Sequence, residues 1–233
     1  MRLAIEARWP LRLLRLTPAF GVTVTATHGT VLLRRHGFER GLVPGQCAVA
    51  EPLRAFDLRL EGSPLQPARC VVTMLSLRDT SAGAALQRVL SQRIFLQPQQ
   101  PWNAGHVADL LGESAERIRR TLFSEGAALT DLCKTQRLMR LLFECHRHPP
   151  SRDGRRGAAY TLSLKHSVGW PAHDIEAAFH DRFGLTIDAF LRAASDCGGL
   201  QRSPWTAYDA NDYIDQCGRD HRAARTIERV AAD

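Results

Sequence analysis

The sequence predicts an α+β protein in which a small antiparallel β-domain is followed by an all-helical domain. Up to about residue 78, short stretches of alternating apolar and polar residues are separated by glycine and proline turns, which is typical of β-hairpins. From about Ser81 onward, the apolar residues recur at the spacing of a helix. With 233 residues and 44% hydrophobic content, the chain is long enough for two such domains.

The predicted strands lie in the first third of the chain, at residues 20–27, 30–35, 56–60 and 70–77. A turn at His28 and Gly29 joins the first two strands, and Pro44 with Gly45 predicts a type II turn. The segment 8–16, rich in arginine and leucine, is compatible with a first strand and with a helical arm. Strands this short predict a small antiparallel sheet or half-barrel.

The predicted first helix, residues 82–95, carries an apolar stripe. The stripe consists of Leu86, Val89, Leu90 and Ile94. Such a stripe suits either the protein core or a dimer seam. Residues 96–101 contain two prolines and three glutamines, so they are predicted to be an interdomain linker. The chain is accordingly divided at 1–78, 79–101, 102–195 and a polar extension at 196–233, with an exposed loop at 146–158.

A helix-turn-helix is predicted at residues 103–125. Val107 lies on the apolar face of its first helix, and Gly112 permits a tight turn. Ser114 is placed to cap the second helix, because its hydroxyl can accept a backbone N–H. Two residues at i and i+4 are expected to anchor this helix on the core: Ile118 and Leu122.

The opposite face of the second helix is strongly basic. It carries Glu116, Arg117, Arg119 and Arg120. Three arginines on so short a helix suit either plain solvent exposure or the phosphates of a nucleic acid. The formal net charge of +7 favours a polyanionic partner such as nucleic acid.

A spaced pattern surrounds this helix-turn-helix over residues 102–144. It consists of Ala108-x-x-Leu111-Gly112-x-Ser114, Leu122-x-x-Glu125-Gly126 and Arg137-Leu138. The pattern resembles the first DNA-binding subdomain of the AraC/XylS family of transcription regulators. A weaker second copy, in Ser167-Val-Gly-Trp170 and residues 179–191, extends the resemblance to about residue 192. The resemblance implies a cupin-like half-barrel followed by an all-α domain with two helix-turn-helix motifs.

The chain departs from the family pattern at three places. An insertion around residues 151–157 interrupts the helix that normally connects the two motifs. The second motif is one residue short between Gly169 and Phe179. Lys165 and Ile187 stand where the family has alanine and proline. These departures all concern the second motif and its connection.

The resemblance implies that the two motifs enter successive major grooves of DNA. In the first motif, Glu116, Arg119 and Arg120 would contact base edges. Arg117 would contact the phosphate backbone, and Ser114 stands at the start of this recognition helix. The matching positions in the second motif are His173, Asp174, Glu176 and Ala177. Because carboxylates repel phosphates, we expect the first motif to dominate specificity.

The resemblance also implies a bacterial, cytoplasmic transcription activator whose partners are double-stranded DNA and RNA polymerase. The N-terminal domain would bind a small-molecule or protein effector or form a homodimer. No catalytic motif and no cofactor are expected. An alternative interpretation is a DNA-binding-impaired protein that acts by binding a partner regulator or a chaperone, which the acidic second recognition helix favours.

The remaining composition fits an intracellular protein. Six cysteines are spread along the chain without a C-x-x-C pair, as expected for reduced thiols. Cys145, His146 and His148 lack a fourth ligand at a recognisable spacing, so no metal site is expected. No apolar run approaches the roughly 18 residues that a membrane-spanning helix needs.

Overall fold

A computed structural model describes residues 1–75, 84–147, 163, 166–170 and 175–195. Several sequence predictions lie outside these residues: the insertion around 151–157, the departure at Lys165, the candidate contacts His173 and Asp174, and the extension 196–233. The first two residues of the loop predicted at 146–158 belong to the end of a helix, and the rest of it is also outside.

The β-domain, in residues 1–75, consists of two four-stranded sheets. Its strands are β1 (Arg2–Ala7), β2 (Leu11–Leu16), β3 (Val22–His28), β4 (Thr30–Arg35), β5 (Phe38–Leu42), β6 (Cys47–Ala50), β7 (Phe56–Glu61) and β8 (Ala68–Met74). One sheet has the order β1-β8-β3-β6 and the other the order β2-β7-β4-β5. Neighbouring strands in both sheets run antiparallel.

Alternation along the strands builds the core between the sheets. Val22 and Val24 of β3 are buried, whereas Thr23 between them is half-buried. In the second sheet, Leu58 and Leu60 of β7 are fully buried. Since successive side chains of a strand point to opposite faces, the period-two pattern in the sequence places one apolar face of each sheet in a common core.

The four predicted strands are present as β3, β4, β7 and β8, with ends that differ by at most two residues within the described chain; residues 76–77 of the last prediction lie outside it. The segment 8–16, for which strand and arm were both open, contains β2. The sequence did not predict β1, β5 and β6. Both β5 and β6 lie at the edge of a sheet. β5 is exposed at four of its five residues, so it lacks the alternating apolar face on which strand prediction depends. β6 alternates between exposed and buried residues in the structure, but all four of its residues are apolar, so its sequence shows no alternation.

The helices follow the β-domain. Those within the described residues are α1 (Leu86–Leu96), α2 (Ala104–Leu111), α3 (Ala115–Ser124), α4 (Leu129–Arg147), α5 (Ile175–Phe183) and α6 (Ile187–Ser195). The α+β architecture expected from the sequence is therefore confirmed: antiparallel sheets come first and helices second. α5 and α6 lie in the region of the second predicted motif.

The apolar stripe of α1 is part of a core within the chain. Leu86, Leu90 and Ile94 are buried together with Val107 of α2 and Ile118 of α3. α1 also packs along α4. Of the two interpretations of this stripe, the structure therefore supports core packing. The domain boundaries proposed from the sequence stay a prediction.

A second core joins the β-domain to the later helices. Leu13 of β2, Leu142 of α4 and Phe190 of α6 belong to the same buried cluster. α6 and α4 pack on β1, and α5 packs on β2. The helices at the end of the described chain thus share apolar packing with the sheets.

Candidate nucleic-acid interface

The geometry of the predicted helix-turn-helix is set by local caps. Asn103 begins α2, with its side-chain oxygen accepting the backbone N–H of His106 at 2.9 Å. α2 ends at Gly112, whose φ of 66° is in the left-handed region that glycine adopts without a Cβ penalty. Ser114 then caps α3, its hydroxyl accepting the N–H of Arg117 at 3.2 Å. The caps predicted at Gly112 and Ser114 are both present.

The loop that precedes α2 is held by side chains. Arg137 of α4 donates from Nε to the carbonyl of Pro98 at 2.9 Å and from Nη2 to that of Gln100 at 3.0 Å. The indole Nε1–H of Trp102 donates to the carbonyl of Gln97 at 2.8 Å. The segment 96–101, predicted as a linker, is thus held by hydrogen bonds from Trp102 and Arg137.

One face of α3 anchors the helix and the opposite face is open to solvent. Ile118 and Leu122 are 2% and 1% exposed, as the sequence predicted for its anchoring pair. Arg119 lies on the exposed side. Glu116 and Arg120 are 79% and 77% exposed and form an ion pair of 2.7 Å. An ion pair this exposed contributes little to stability, so both groups can exchange partners readily.

Arg117 lies beside the outward face and close to the start of α3. Its Nε is 3.2 Å from a carboxylate oxygen of Glu113, and its side chain is 65% exposed. The N-terminus of a helix carries a partial positive charge and free N–H groups, which favour a phosphate. The hydroxyl of Ser114 already accepts one of these N–H groups. The structure therefore gives Ser114 a capping role at this end of α3.

The second predicted motif presents a different surface. α5 buries Ile175, Phe179 and Phe183. Its exposed side chains are Glu176, Ala177, His180 and Asp181. None of the side chains on the exposed face of α5 is lysine or arginine.

The arginine of α5 is turned toward the β-domain. Arg182 donates from Nη2 to Oγ1 of Thr17 at 2.6 Å. Burial, together with the nearby charge of Arg15, lowers the pKa of Arg182. The candidate contact Glu176 is exposed, and its carboxylate accepts the backbone N–H of Ile187 at 3.4 Å, at the start of α6. Of the charged groups of α5, Arg182 is thus turned toward the β-domain, whereas Glu176 and Asp181 stay exposed.

Two residues at the end of α3 were not among the predicted contacts. Phe123 is 85% exposed, and Glu125 binds the first turn of α1 through two backbone N–H groups. The helical spacing could have indicated Phe123, because it lies seven residues after Glu116 and thus on the same face. The sequence carries no signal for the partner of Glu125.

A small apolar cavity lies between the β-domain and α4. It has a volume of about 10 Å³ and is lined by residues that include Leu3, Leu13, Phe56, Met139 and Phe143. That volume is close to the smallest that holds one water molecule. The contact between the β-domain and α4 is therefore packed core.

Three further features concern the cysteines, metal ligands and membrane segments of the described residues. Burial raises the pKa of Cys145 to about 12, so its thiol is protonated at neutral pH. Within the described residues there is no group of three potential metal-ligating side chains. In that same part of the chain, no helix is both long and apolar enough to cross a membrane.

No protein-family model and no curated protein matches the chain. Solved structures do match its fold. The crystal structure of ToxT from Vibrio cholerae O395 is similar with a TM-score of 0.60 and 9% identity, over 86% of this chain and 98% of that one. A structure of unsaturated fatty acid-bound wild-type ToxT from strain SCE256 gives a TM-score of 0.58 and 9% identity, over 87% and 97% of the two chains.

ToxT is an AraC-family regulator, so the chain has an AraC-like fold. The similarity extends over both the sheets and the helices, as the coverage of both chains shows. At 9% identity it establishes the arrangement of elements and leaves the roles of individual residues to their own chemistry.

Proposed function

We propose that the chain is a sequence-specific DNA-binding transcription regulator that contacts DNA mainly through α3. The observation that carries this proposal is the outward face of α3. A capped helix presents three exposed arginines and one exposed glutamate, opposite a fully buried face, at the second position of a helix-turn-helix. This is the arrangement that a recognition helix needs to enter a major groove.

The exposed groups of α3 suit distinct roles. Arg119 and Arg120 each have the planar fork that pairs bidentately with O6 and N7 of guanine. Glu116 can accept a hydrogen bond from N4 of cytosine once Arg120 leaves their ion pair. Arg117, nearer the start of the helix, suits a phosphate.

The second motif contributes less to DNA binding in this proposal. The exposed face of α5 bears two carboxylates, of Glu176 and Asp181, and its Arg182 is directed to Thr17. Carboxylates facing a phosphate lattice are repelled unless a base donor meets them. Specificity therefore depends on the first motif, with His173, Asp174 and Glu176 as secondary candidates.

The AraC-like fold also suggests where the protein acts and how it is regulated. We assign the chain to a bacterial cytoplasm, as an activator that recruits RNA polymerase, with regulation or homodimerisation through the β-domain. A fatty acid is bound to ToxT in one of the similar structures. In this chain the cavity between the β-domain and α4 has a volume of only about 10 Å³. A fatty acid is much larger than this cavity, so we do not propose that one binds there.

A second candidate function is favoured by the α5 surface. A protein that had lost groove binding by its second motif could act by binding a partner regulator or a chaperone. This second function is compatible with the same fold. It differs from sequence-specific DNA binding because it predicts no preference of the protein for any DNA sequence.

Mapping the DNA bound by the full chain across the genome in vivo tests the proposal. We expect enrichment of a common sequence. Purified protein should bind that sequence far more tightly than random duplex, with affinity falling steeply as salt rises. Equal affinity for the enriched sequence and random DNA would instead support the partner-binding candidate.

A further inference from the structure

The outward face of α3 holds a large apolar side chain to which the roles above assign nothing. Phe123 is 85% exposed, while Leu122 beside it is 1% exposed. The core face of α3 is already occupied by Ile118 and Leu122, which pack with α1 and α2. Phe123 therefore projects away from the core.

The position of Phe123 groups it with the basic residues. It follows Arg120 by three residues and Arg119 by four, so the three side chains are neighbours on the helix surface. Long side chains in a helix lean toward its N-terminus, which directs the ring toward the two guanidinium groups. Three residues span about 4.5 Å of helix axis, near the spacing of about 3.4 Å between base pairs.

The major groove offers one apolar group on its base edges, the C5 methyl of thymine. Resting on the DNA-binding function proposed above, we propose that Phe123 is a specificity-determining residue that packs its ring on a thymine methyl. That thymine lies within about one or two base pairs of the pair contacted by Arg119 or Arg120.

The surroundings of Phe123 favour DNA over a protein as the occupant of this surface. The core of a protein interface is depleted of charged residues. Phe123 is instead accompanied on its own face by Arg119, Arg120 and Glu116, all exposed. A major groove accommodates such charged groups and an apolar ring together, because phosphates, base edges and methyl groups are all within reach of one helix.

The experiment uses the full chain and a preferred site selected from a random duplex library. Each thymine of that site is then replaced in turn by deoxyuridine, which removes only the methyl group. We expect one replacement to weaken wild-type binding by about three- to fivefold, as for the loss of one buried methyl contact. Phe123→Ala should weaken binding to the unmodified site by a similar factor and should no longer respond to that replacement. Phe123→Leu should retain part of the response.

Leu65→Ala is the matched control, because Leu65 is 94% exposed and belongs to the connection between β7 and β8 of the β-domain. It should bind every duplex as the wild type does. A selected site that lacks thymine, or that tolerates every deoxyuridine, overturns the role of Phe123 and leaves DNA binding intact. Phe123→Ala that weakens all duplexes equally also overturns it. Failure to select any preferred sequence contradicts the proposed function itself. If Phe123→Ala binds DNA as the wild type does but fails to regulate transcription in cells, the thymine contact is overturned and Phe123 contacts a protein partner instead.

Discussion

The carboxylate of Glu125, just after α3, accepts the backbone N–H of Leu86 at 2.9 Å, at the first residue of α1. Its other oxygen accepts the N–H of Gln87 at 2.6 Å. α1 has no cap of its own, because the residue before it is Ala85. The end of the candidate recognition helix thus caps the first helix after the β-domain, and the carboxylate also complements the positive end of the α1 dipole.

Removing this cap should destabilise the chain. Glu125→Ala is expected to lower the free energy of unfolding by about 1–2 kcal/mol, because two backbone N–H groups lose their acceptor. Glu125→Gln should lose less, since its amide oxygen still accepts. Urea unfolding of each variant measures the difference.

A rescue variant separates capping from other roles of Glu125. Ala85 has a non-helical backbone, with φ of −50° and ψ of 142°, as an N-cap residue requires. Ala85→Ser should therefore recover part of the stability lost in Glu125→Ala and should add little to the wild type. An equal gain in both backgrounds would mean that Glu125 does not act as the cap.

Gly169 should tolerate alanine poorly. Its φ is +60°, and a Cβ there would lie 2.6 Å from the carbonyl oxygen of Pro98 and 2.7 Å from Cα of Gln99. Backbone atoms cannot move aside as the end of a side chain can, so the overlap adds to the conformational strain. We expect Gly169→Ala to lower the free energy of unfolding by about 2–4 kcal/mol.

Gly45 provides the matched control for Gly169. Its φ is +88°, and a Cβ there would meet nothing within 4 Å. Gly45→Ala should therefore incur only the left-handed backbone strain of about 1 kcal/mol. Equal losses in the two variants, measured in the same urea titration, would show that Gly169 is not in contact with the loop at 98–99.

The ion pair between Glu6 and Arg69 should make stability depend on pH. Glu6 is 5% exposed on β1, and Arg69 of β8 donates to it from Nε at 2.9 Å. Burial raises the pKa of Glu6, but the hydrogen bonds and charges of Arg69 and Arg8 outweigh it, and the net pKa is below the ordinary value of 4.5. The charged form is thus stabilised in the folded chain, and this contribution is lost as the pH falls through the lowered pKa.

Glu6→Gln should therefore be less stable than the wild type at pH 7, and the gap should narrow as the pH falls below about 4.5. Urea unfolding at several pH values measures the gap. Glu51→Gln is the control, because Glu51 is 64% exposed in its pair with Arg35, and such a pair contributes little. A gap for Glu6→Gln that stays constant with pH would contradict the assignment.

The sequence predicted the features that depend on neighbours along the chain. The period-two pattern of β3 and β4, the cap at Ser114 and the turn at Gly112 are decided within a few residues, and all are present. The resemblance placed the first helix-turn-helix in the right segment. It did so without any matching family model, because a few spaced residues define the turn.

Long-range contacts could not be predicted in this way. Glu125 and Leu86 are 39 positions apart, and Arg182 and Thr17 are 165 apart. Arg182 is a basic residue in the region of the second motif, yet the fold turns it toward the β-domain. Whether an arginine faces DNA or protein is decided by packing between elements, which no local pattern records.

Binding of single-arginine variants to the selected DNA site tests whether α3 recognises the DNA sequence. Arg119→Ala and Arg120→Ala should each lose about 1–3 kcal/mol of discrimination between the selected site and random duplex. Neither should change the free energy of unfolding by more than about 0.5 kcal/mol, since both side chains are exposed. Arg40→Ala removes the same charge from the exposed strand β5, and Glu176→Ala removes a candidate contact of α5; both should keep the discrimination of the wild type. Full discrimination in Arg119→Ala and Arg120→Ala, together with its loss in Glu176→Ala, would contradict recognition of the DNA sequence by α3.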